Sequence, residues 1–250
     1  MRERPYCLCT PRHFCASLAG PGASRTEIPV ACHSGHLWAA CMLDPEALLD
    51  DVCCDDPKRV AIALQAAHDR GNELVARIVA RLESVLADPA AWTRDGALNP
   101  GFLLFLAAEF RATAAHAPIV GILRLEEELA DRLLGDVITE GADAVLAETF
   151  PGDAAPLLGL VEDANAGPYA RGAGLRALAM LWKRGTLLRE DLLAWMVKFA
   201  VALDPNYEGD CMTANQLVDV AVQVHAVELR GTIMGLYERG LAHDGYVESA

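Results

Sequence analysis

From residue 42 onward the helical signal is continuous, opening on the acidic, proline-initiated stretch MLDPEALLDDV (42–52), and it is cleanest over 72–87. Over 72–87, Leu74, Val75, Ile78, Val79, Leu82, Val85 and Leu86 fall at i, i+1, i+4, i+5, i+8, i+11 and i+12, which is one face of a helix. Glu73 and Arg77 stand four apart near the opposite side and are expected to pair. Asn99-Pro100 reads as an N-cap followed by proline at the first helical position, opening a helix with Leu103, Leu106, Ala107 and Phe110 inward. Shorter helices are predicted over 118–124, 126–134, 139–149 and 154–162. The next, over 168–184, ends at Gly185, and another covers 189–203 with Leu192, Leu193, Met196, Phe199, Ala200 and Leu203 on one face. Thr213 with Gln216 reads as a capping box opening a helix with Leu217, Val220, Ala221 and Val224 inward. The last helix carries Leu229, Ile233, Leu236 and Tyr237 and stops at Gly240.

The 168–184 helix has the most specific pattern. Ala170, Ala173, Gly174 and Ala177 form a stripe of small residues beside the bulky Leu175, Leu178, Leu181 and Trp182. Gly172 and Gly174 each cost roughly 1 kcal/mol against Ala inside a helix, so a close neighbour is expected to repay them. Arg171 lies in the first turns, where a cation gains nothing from the helix dipole. Its expected partner is a turn carboxylate such as Asp163, which would make it a rung of a structural ladder between repeats. The functional alternative is an anchor for a partner's carboxylate.

No stretch carries hairpin chemistry. Helices joined by short turns run antiparallel, and repeated pairs stack. The predicted fold is therefore all-α, a HEAT-like α-solenoid of antiparallel helix pairs with a repeat of roughly 30–45 residues. A compact helical bundle is the alternative.

Composition sharpens this picture. Apolar residues make up 53% of the 250, enough for a core, while aromatics are only 6%, which suits closely packed helices better than a sandwich or barrel. The net charge of −14 argues against nucleic-acid and membrane-surface roles and favours a protein partner offering a basic or polar segment. A DNA-lesion reader of the HEAT-like glycosylase type would need a basic groove, and the sign here is wrong. No secretory signal is visible and no apolar run reaches the ~18–20 residues of a membrane span, so a cytoplasmic protein with reduced cysteines is expected. The net negative charge lies entirely after residue 41. Residues 1–41 lack helical or strand period, carry Arg2, Arg4, Arg12 and Arg25 against Glu3 and Glu27, and hold Cys7, Cys9, Cys15, Cys32 and Cys41. They are expected to be a disordered or spurious extension to a helical repeat domain over 42–250.

The candidate chemistry is sparse. Cys7, Cys9, Cys15, Cys32, His33, His36 and Cys41 include enough ligands for zinc but lack paired C-x2-C knuckles, so no metal and no cofactor is expected. Cys53 and Cys54 sit among Asp50, Asp51, Asp55 and Asp56, a field that disfavours thiolates. His68, His116 and His225 have no i,i+4 partner and read as capping or surface residues. Glu126-Glu127-Glu128 reads as a solvated first turn. Asp136 and Glu140 could do acid–base work, but no nucleophile, phosphate loop, HExxH or GxSxG accompanies them, and capping is the simpler account.

Four blocks carry a family resemblance. FLLFLAAEFR (102–111), LLGDVITEGADAVLA (133–147), YARGAGLRALAML (169–181) and QLVDVAVQVHAVELRGTIMGLYERGL (216–241) resemble, in that order, an uncharacterised bacterial family of HEAT-like helical-repeat proteins, a domain of unknown function. The resemblance covers about residues 43–250 and implies an α-helical repeat fold with no established activity. Some members resemble carriers of a C-terminal SEC-C zinc motif. This chain has only Cys211, His225 and His243 as soft ligands in that region, so a zinc-dependent docking role does not transfer. The expected function is a non-catalytic interaction scaffold. Glu109, Asp136, Glu140, Asn215 and Asp219 would line its acidic surface, with Arg111 and Arg171 as further binding candidates. The alternative is a metal-binding or hydrolytic protein using the N-terminal Cys/His residues or the Asp136/Glu140 pair.

Overall fold

The computed structural model describes residues 44–94 and 98–243, which contain α- and 3-10 helices and no named strand. The cysteines and histidines of residues 1–41 lie outside the described residues. The first helices start on a common grammar of an aspartate cap followed by proline. In α1 (Pro45–Val52) the Asp44 side chain accepts from Glu46 N at 3.1 Å. In α2 (Pro57–Arg70) Asp56 accepts from Lys58 N at 2.9 Å, and in α4 (Pro89–Trp92) Asp88 accepts from Ala91 N at 3.1 Å. Such caps satisfy amides that the first helical turn leaves free, and proline there sacrifices no hydrogen bond. Between these lies α3 (Val75–Ala87), entered through a 3-10 turn, Gly71–Leu74. That turn sends Glu73 to Arg70, while Arg77 pairs with Glu46 at 3.3 Å, so the expected Glu73–Arg77 pair does not form.

The chain continues through α5 (Gly101–Glu109), α6 (His116–Leu123), α7 (Glu127–Leu134), α8 (Val137–Glu140), α9 (Ala142–Glu148) and α10 (Ala155–Glu162). It ends with α11 (Pro168–Lys183), α12 (Arg189–Ala202), α13 (Glu208–Gln223) and α14 (Arg230–Glu238). The Asn99 side chain accepts from Gly101 N at 2.8 Å as α5 opens, but Pro100 holds the cap position and the helix begins one residue later than expected. The predicted 139–149 helix is broken at Gly141, where a Cβ would lie 2.7 Å from the Phe105 ring. The α13 helix starts five residues before the expected capping box. Thr213 is interior and its hydroxyl donates back to Gly209 O at 2.8 Å, as mid-helix threonines do.

Helix contacts run in two rows. In one, α5, α9, α11 and α13 each pack on the member before; in the other, α6 packs on α3 and on α10, and α14 packs on α12. The rows meet where α3 touches α5, α6 touches α9, α10 touches α11, and α12 touches α11 and α13. The α11 helix lies at the centre of this arrangement, and its buried residues include both faces of the small-residue stripe. A Cβ on Gly174 would sit 2.7 Å from Val161 of α10; one on Gly172 would sit 1.1 Å from Gln216 Oε1 of α13. The two glycines thus admit neighbours on different sides. By contrast, Gly235 in α14 has nothing among the described residues within 4 Å of where a Cβ would stand. Gly235→Ala is therefore expected to raise unfolding stability by about 0.5–1 kcal/mol in urea titrations, the full propensity gain with no clash to offset it.

His116 is a core residue rather than a surface one. Its Nδ1 lies 3.1 Å from Thr149 Oγ1, whose own hydrogen goes to Val145 O at 2.8 Å. Nδ1 must then be the donor, leaving Nε2 an unprotonated, buried atom with no partner among the described residues. Burial pushes the His116 pKa below its ordinary 6.5. The neutral ring is the folded form, so its contribution is complete above about 6.5 and is lost as pH falls from there through the depressed folded value. Exposed His68 works in the opposite sense, its pKa raised by the hydrogen bond to Glu109. Comparing wild type with His116→Gln isolates the buried group: the melting temperature of the wild type should fall more steeply with acid.

Candidate functional site

A groove of about 760 Å³ opens where three separate segments meet. One wall is the start of α7 and the α7–α8 turn, with Glu126, Glu127, Glu128, Asp131 and Asp136. The second is the 164–170 stretch entering α11, with Asn165 and Tyr169; the third is Tyr207, from the turn before α13. The walls touch through an isolated antiparallel bridge between Glu126 and Ala166, and the Glu127 side chain lies over Gly167. Among the described residues, no lysine or arginine lines the groove. All five carboxylates are exposed and none forms an ion pair among the described residues. Tyr169 and Tyr207 are 45% and 42% exposed, so both offer ring surface to a ligand.

The two turns that frame the groove share one geometry. Asp163 Oδ1 accepts from Asn165 N at 3.0 Å and Nδ2 at 3.2 Å; Asp204 Oδ1 accepts from Asn206 N at 2.9 Å and Nδ2 at 3.0 Å. These are Asx turns, built by a D-x-N sequence. Partial burial raises the Asp163 pKa, but hydrogen bonds from Arg124 and Asn165 outweigh it and hold the carboxyl below its usual range.

Next in the chain after the groove-lining Ala170 comes Arg171, 2% exposed. Its Nε donates to Val161 O at 2.8 Å and its Nη1 to Asp210 Oδ1 at 2.7 Å, with the Phe199 ring centroid 5.8 Å from the guanidinium carbon. The expected partner, Asp163, is instead held by Arg124 at 2.8 Å. The helix carrying Arg171 faces α13, so a carboxylate on that helix is nearer than one in its own preceding turn.

Of the seven candidate binding residues, only Asp136 lines this groove. Glu140 is exposed on the same short helix but outside it, and Asp136 makes no side-chain cap. Glu109 bonds His68, and Arg111 lies 3.4 Å from Glu148 on a backbone with φ of 48°. Asn215 is buried, its Nδ2 donating to Cys211 O at 2.9 Å and its Oδ1 accepting from His243 N at 3.0 Å. Asp219 is half-buried, which raises its pKa against the opposing pull of Arg176. The seven therefore do not assemble into one site. The groove residues missed from sequence are Glu126, Glu127, Glu128, Asp131, Asn165, Tyr169 and Tyr207. The usable signal was the repeated D-x-N turn, followed each time by a tyrosine.

Among the described residues, no group of three or more His, Cys, Asp or Glu is placed to hold a metal ion. Burial pushes the Cys53 thiol up to about 12, with Arg81 pulling the other way, so the thiolate is suppressed chiefly by desolvation. No described helix is long and apolar enough to cross a membrane.

Comparison with known proteins places these features in context. The profile of a family described as "Protein of unknown function (DUF1186)" matches residues 45–250. An uncharacterised protein of Chlamydia trachomatis serovar D is 24% identical over 173 residues, covering 67% of this chain and 68% of its own. One of Chlamydia muridarum is 24% identical over 175 residues, covering 67% and 69%. No solved structure matches.

Proposed function

Since the chain belongs to the bacterial DUF1186 family, whose description assigns no activity, we propose from geometry that it is a non-catalytic interaction protein whose acidic groove holds a basic protein segment. The observation that carries this is the lining itself: among the described residues it has five unpaired carboxylates, two exposed tyrosines and no basic side chain. Carboxylates left without cations inside the protein are free to meet cations from outside, and tyrosine rings add about 0.5–1 kcal/mol for a cation over an exposed face. The scaffold is read as a HEAT-like α-solenoid of antiparallel pairs. Support comes from the two helix rows and from polar ties that join residues 33 to 43 positions apart, as in Arg176–Asp143, Arg124–Asp163 and Tyr207–Ala164. Ties near one repeat length are what neighbour stacking produces, although the Gln216–Pro168 bond and the α1–α5 contact span more than one. A cytoplasmic setting is part of the same proposal.

Calorimetric titration with a synthetic lysine-rich peptide tests the reading. Binding is expected at about 0.05 M salt and loss of roughly tenfold in affinity by about 0.5 M, since exposed charges are screened over a few ångströms there. A glutamate-rich peptide of the same length should not bind. Equal binding of both peptides, or none of either, contradicts the proposal.

A further inference from the structure

We infer that Arg171 and Asp210 are positioning residues for the groove: the buried pair holds the turn that carries Tyr207 and so sets the aromatic wall. The inference rests on the groove being the binding site.

Arg171 joins three chain segments at one point. Its Nε bonds the end of α10 at Val161 O, 2.8 Å away, and its Nη1 bonds Asp210 in the first turn of α13 at 2.7 Å. Asp210 spends its two oxygens on different partners. Oδ1 takes the guanidinium, while Oδ2 accepts from Asp204 N at 2.8 Å. Asp204 is the head of the Asx turn that ends in Tyr207, whose own amide donates to Asp204 O at 3.1 Å. The far end of the tyrosine is also fixed, its hydroxyl donating to Ala164 O at 2.8 Å across the groove wall. Tyr207 is thus tied at its backbone to the carboxylate that holds Arg171, and at its ring to the opposite wall. A buried ion pair is weak evidence of a stabilising role, because desolvation cancels most of the attraction. A carboxylate with one oxygen on the cation and the other on a turn amide has a geometric job as well. Two acceptors facing two donors also make the position intolerant of an amide, since an asparagine must turn its NH2 toward one of them.

Three variants separate positioning from general stability. Asp210→Asn keeps the volume and removes one acceptor. Asp204→Ala and Tyr207→Phe act at the exposed turn and leave the Arg171–Asp210 pair in place. Two quantities are read: affinity for the lysine-rich peptide, and amide hydrogen exchange at Asp204, with α5 amides as the reference. Asp210→Asn is expected to speed exchange at Asp204 at least ~10-fold relative to α5. Tyr207→Phe and Asp204→Ala should weaken the peptide about fivefold while leaving the melting temperature of the wild type nearly unchanged. Wild-type exchange at Asp204 in Asp210→Asn overturns the inference, as does wild-type affinity in both Tyr207→Phe and Asp204→Ala. If the wild type binds no peptide, the binding proposal has failed by itself, and the exchange result alone decides whether the pair positions the turn. If Asp210→Asn does not fold, the two exposed variants decide by affinity at unchanged melting temperature.

Discussion

Asp210→Ala is expected to lower unfolding stability by about 3–5 kcal/mol, the cost of leaving the Arg171 guanidinium buried and unpaired. Total stability of a domain is about 5–15 kcal/mol, so this single change is a large fraction of it. The loss should not be uniform. Arg171 and Asp210 join α11 to α13, and the α12–α14 part of the chain depends on that seam for much of its burial. Hydrogen exchange should show α13 and α14 opening before α3 and α5. Removing both charges should cost less than the sum of the single losses, because Arg171→Met with Asp210→Leu fills the space without an orphaned ion. What the pair of substitutions cannot restore is the acceptor for Asp204 N, worth about 1 kcal/mol. Urea titrations of the two single variants and the double provide the cycle. Additive losses would show that the two side chains are not coupled.

The second large effect comes from adding a single methyl group. Gly172→Ala removes a poor helix former and in isolation would stabilise by about 1 kcal/mol. Here the new Cβ would sit 1.1 Å from Gln216 Oε1 and 2.2 Å from Gln216 Cδ, inside a seam where the glutamine is buried and its Nε2 donates to Pro168 O at 3.3 Å. The side chain must swing away and give up that bond, or the helices must part. The expected result is a net loss of about 1–3 kcal/mol, the usual cost of overpacking. Gln216→Ala should largely rescue it by clearing the space. A stabilised Gly172→Ala protein would show that α11 and α13 are not in this close approach. The opposite sign expected at Gly235 makes the pair of glycines an internal comparison.

These two sites show what the sequence could and could not carry. The small-residue stripe of α11 was legible because helical spacing is local: Ala170, Ala173, Gly174 and Ala177 declare a close neighbour without naming it. The start of α1 was legible for the same reason, since its acidic, proline-led opening acts within one turn, whereas the Asp56-Pro57 and Asp88-Pro89 starts went unread. The partner of Arg171 was not legible, because Asp210 is 39 residues away and nothing local distinguishes it from Asp163. Thr213 and Gln216 have the spacing of a capping box, yet the same spacing occurs inside any helix. What decides is where the helix begins, and here the acidic first turn with Glu208 and Asp210 sets it. His116 was misplaced because burial of a polar ring depends on the packing of α6 against the end of α9. The all-helical fold was therefore readable, while the groove was not. It is made by residues 126–136, 164–170 and 207, which meet only when the helices stack. Glu126–Glu128 looked like an ordinary solvated helix start because, taken alone, it is one.

The central claim is that the groove, and not the overall negative charge, recognises a basic segment. The direct test titrates the lysine-rich peptide into two variants of equal net charge. One carries Glu127→Gln, Glu128→Gln and Asp131→Asn in the groove; the other carries Glu83→Gln, Glu190→Gln and Glu238→Gln, exposed carboxylates elsewhere with no ion pair among the described residues. Three exposed charges are worth about 1–3 kcal/mol together, so the groove variant should bind roughly tenfold more weakly than wild type while the control stays within about twofold. Equal weakening of the two variants, or none in either, would contradict the account.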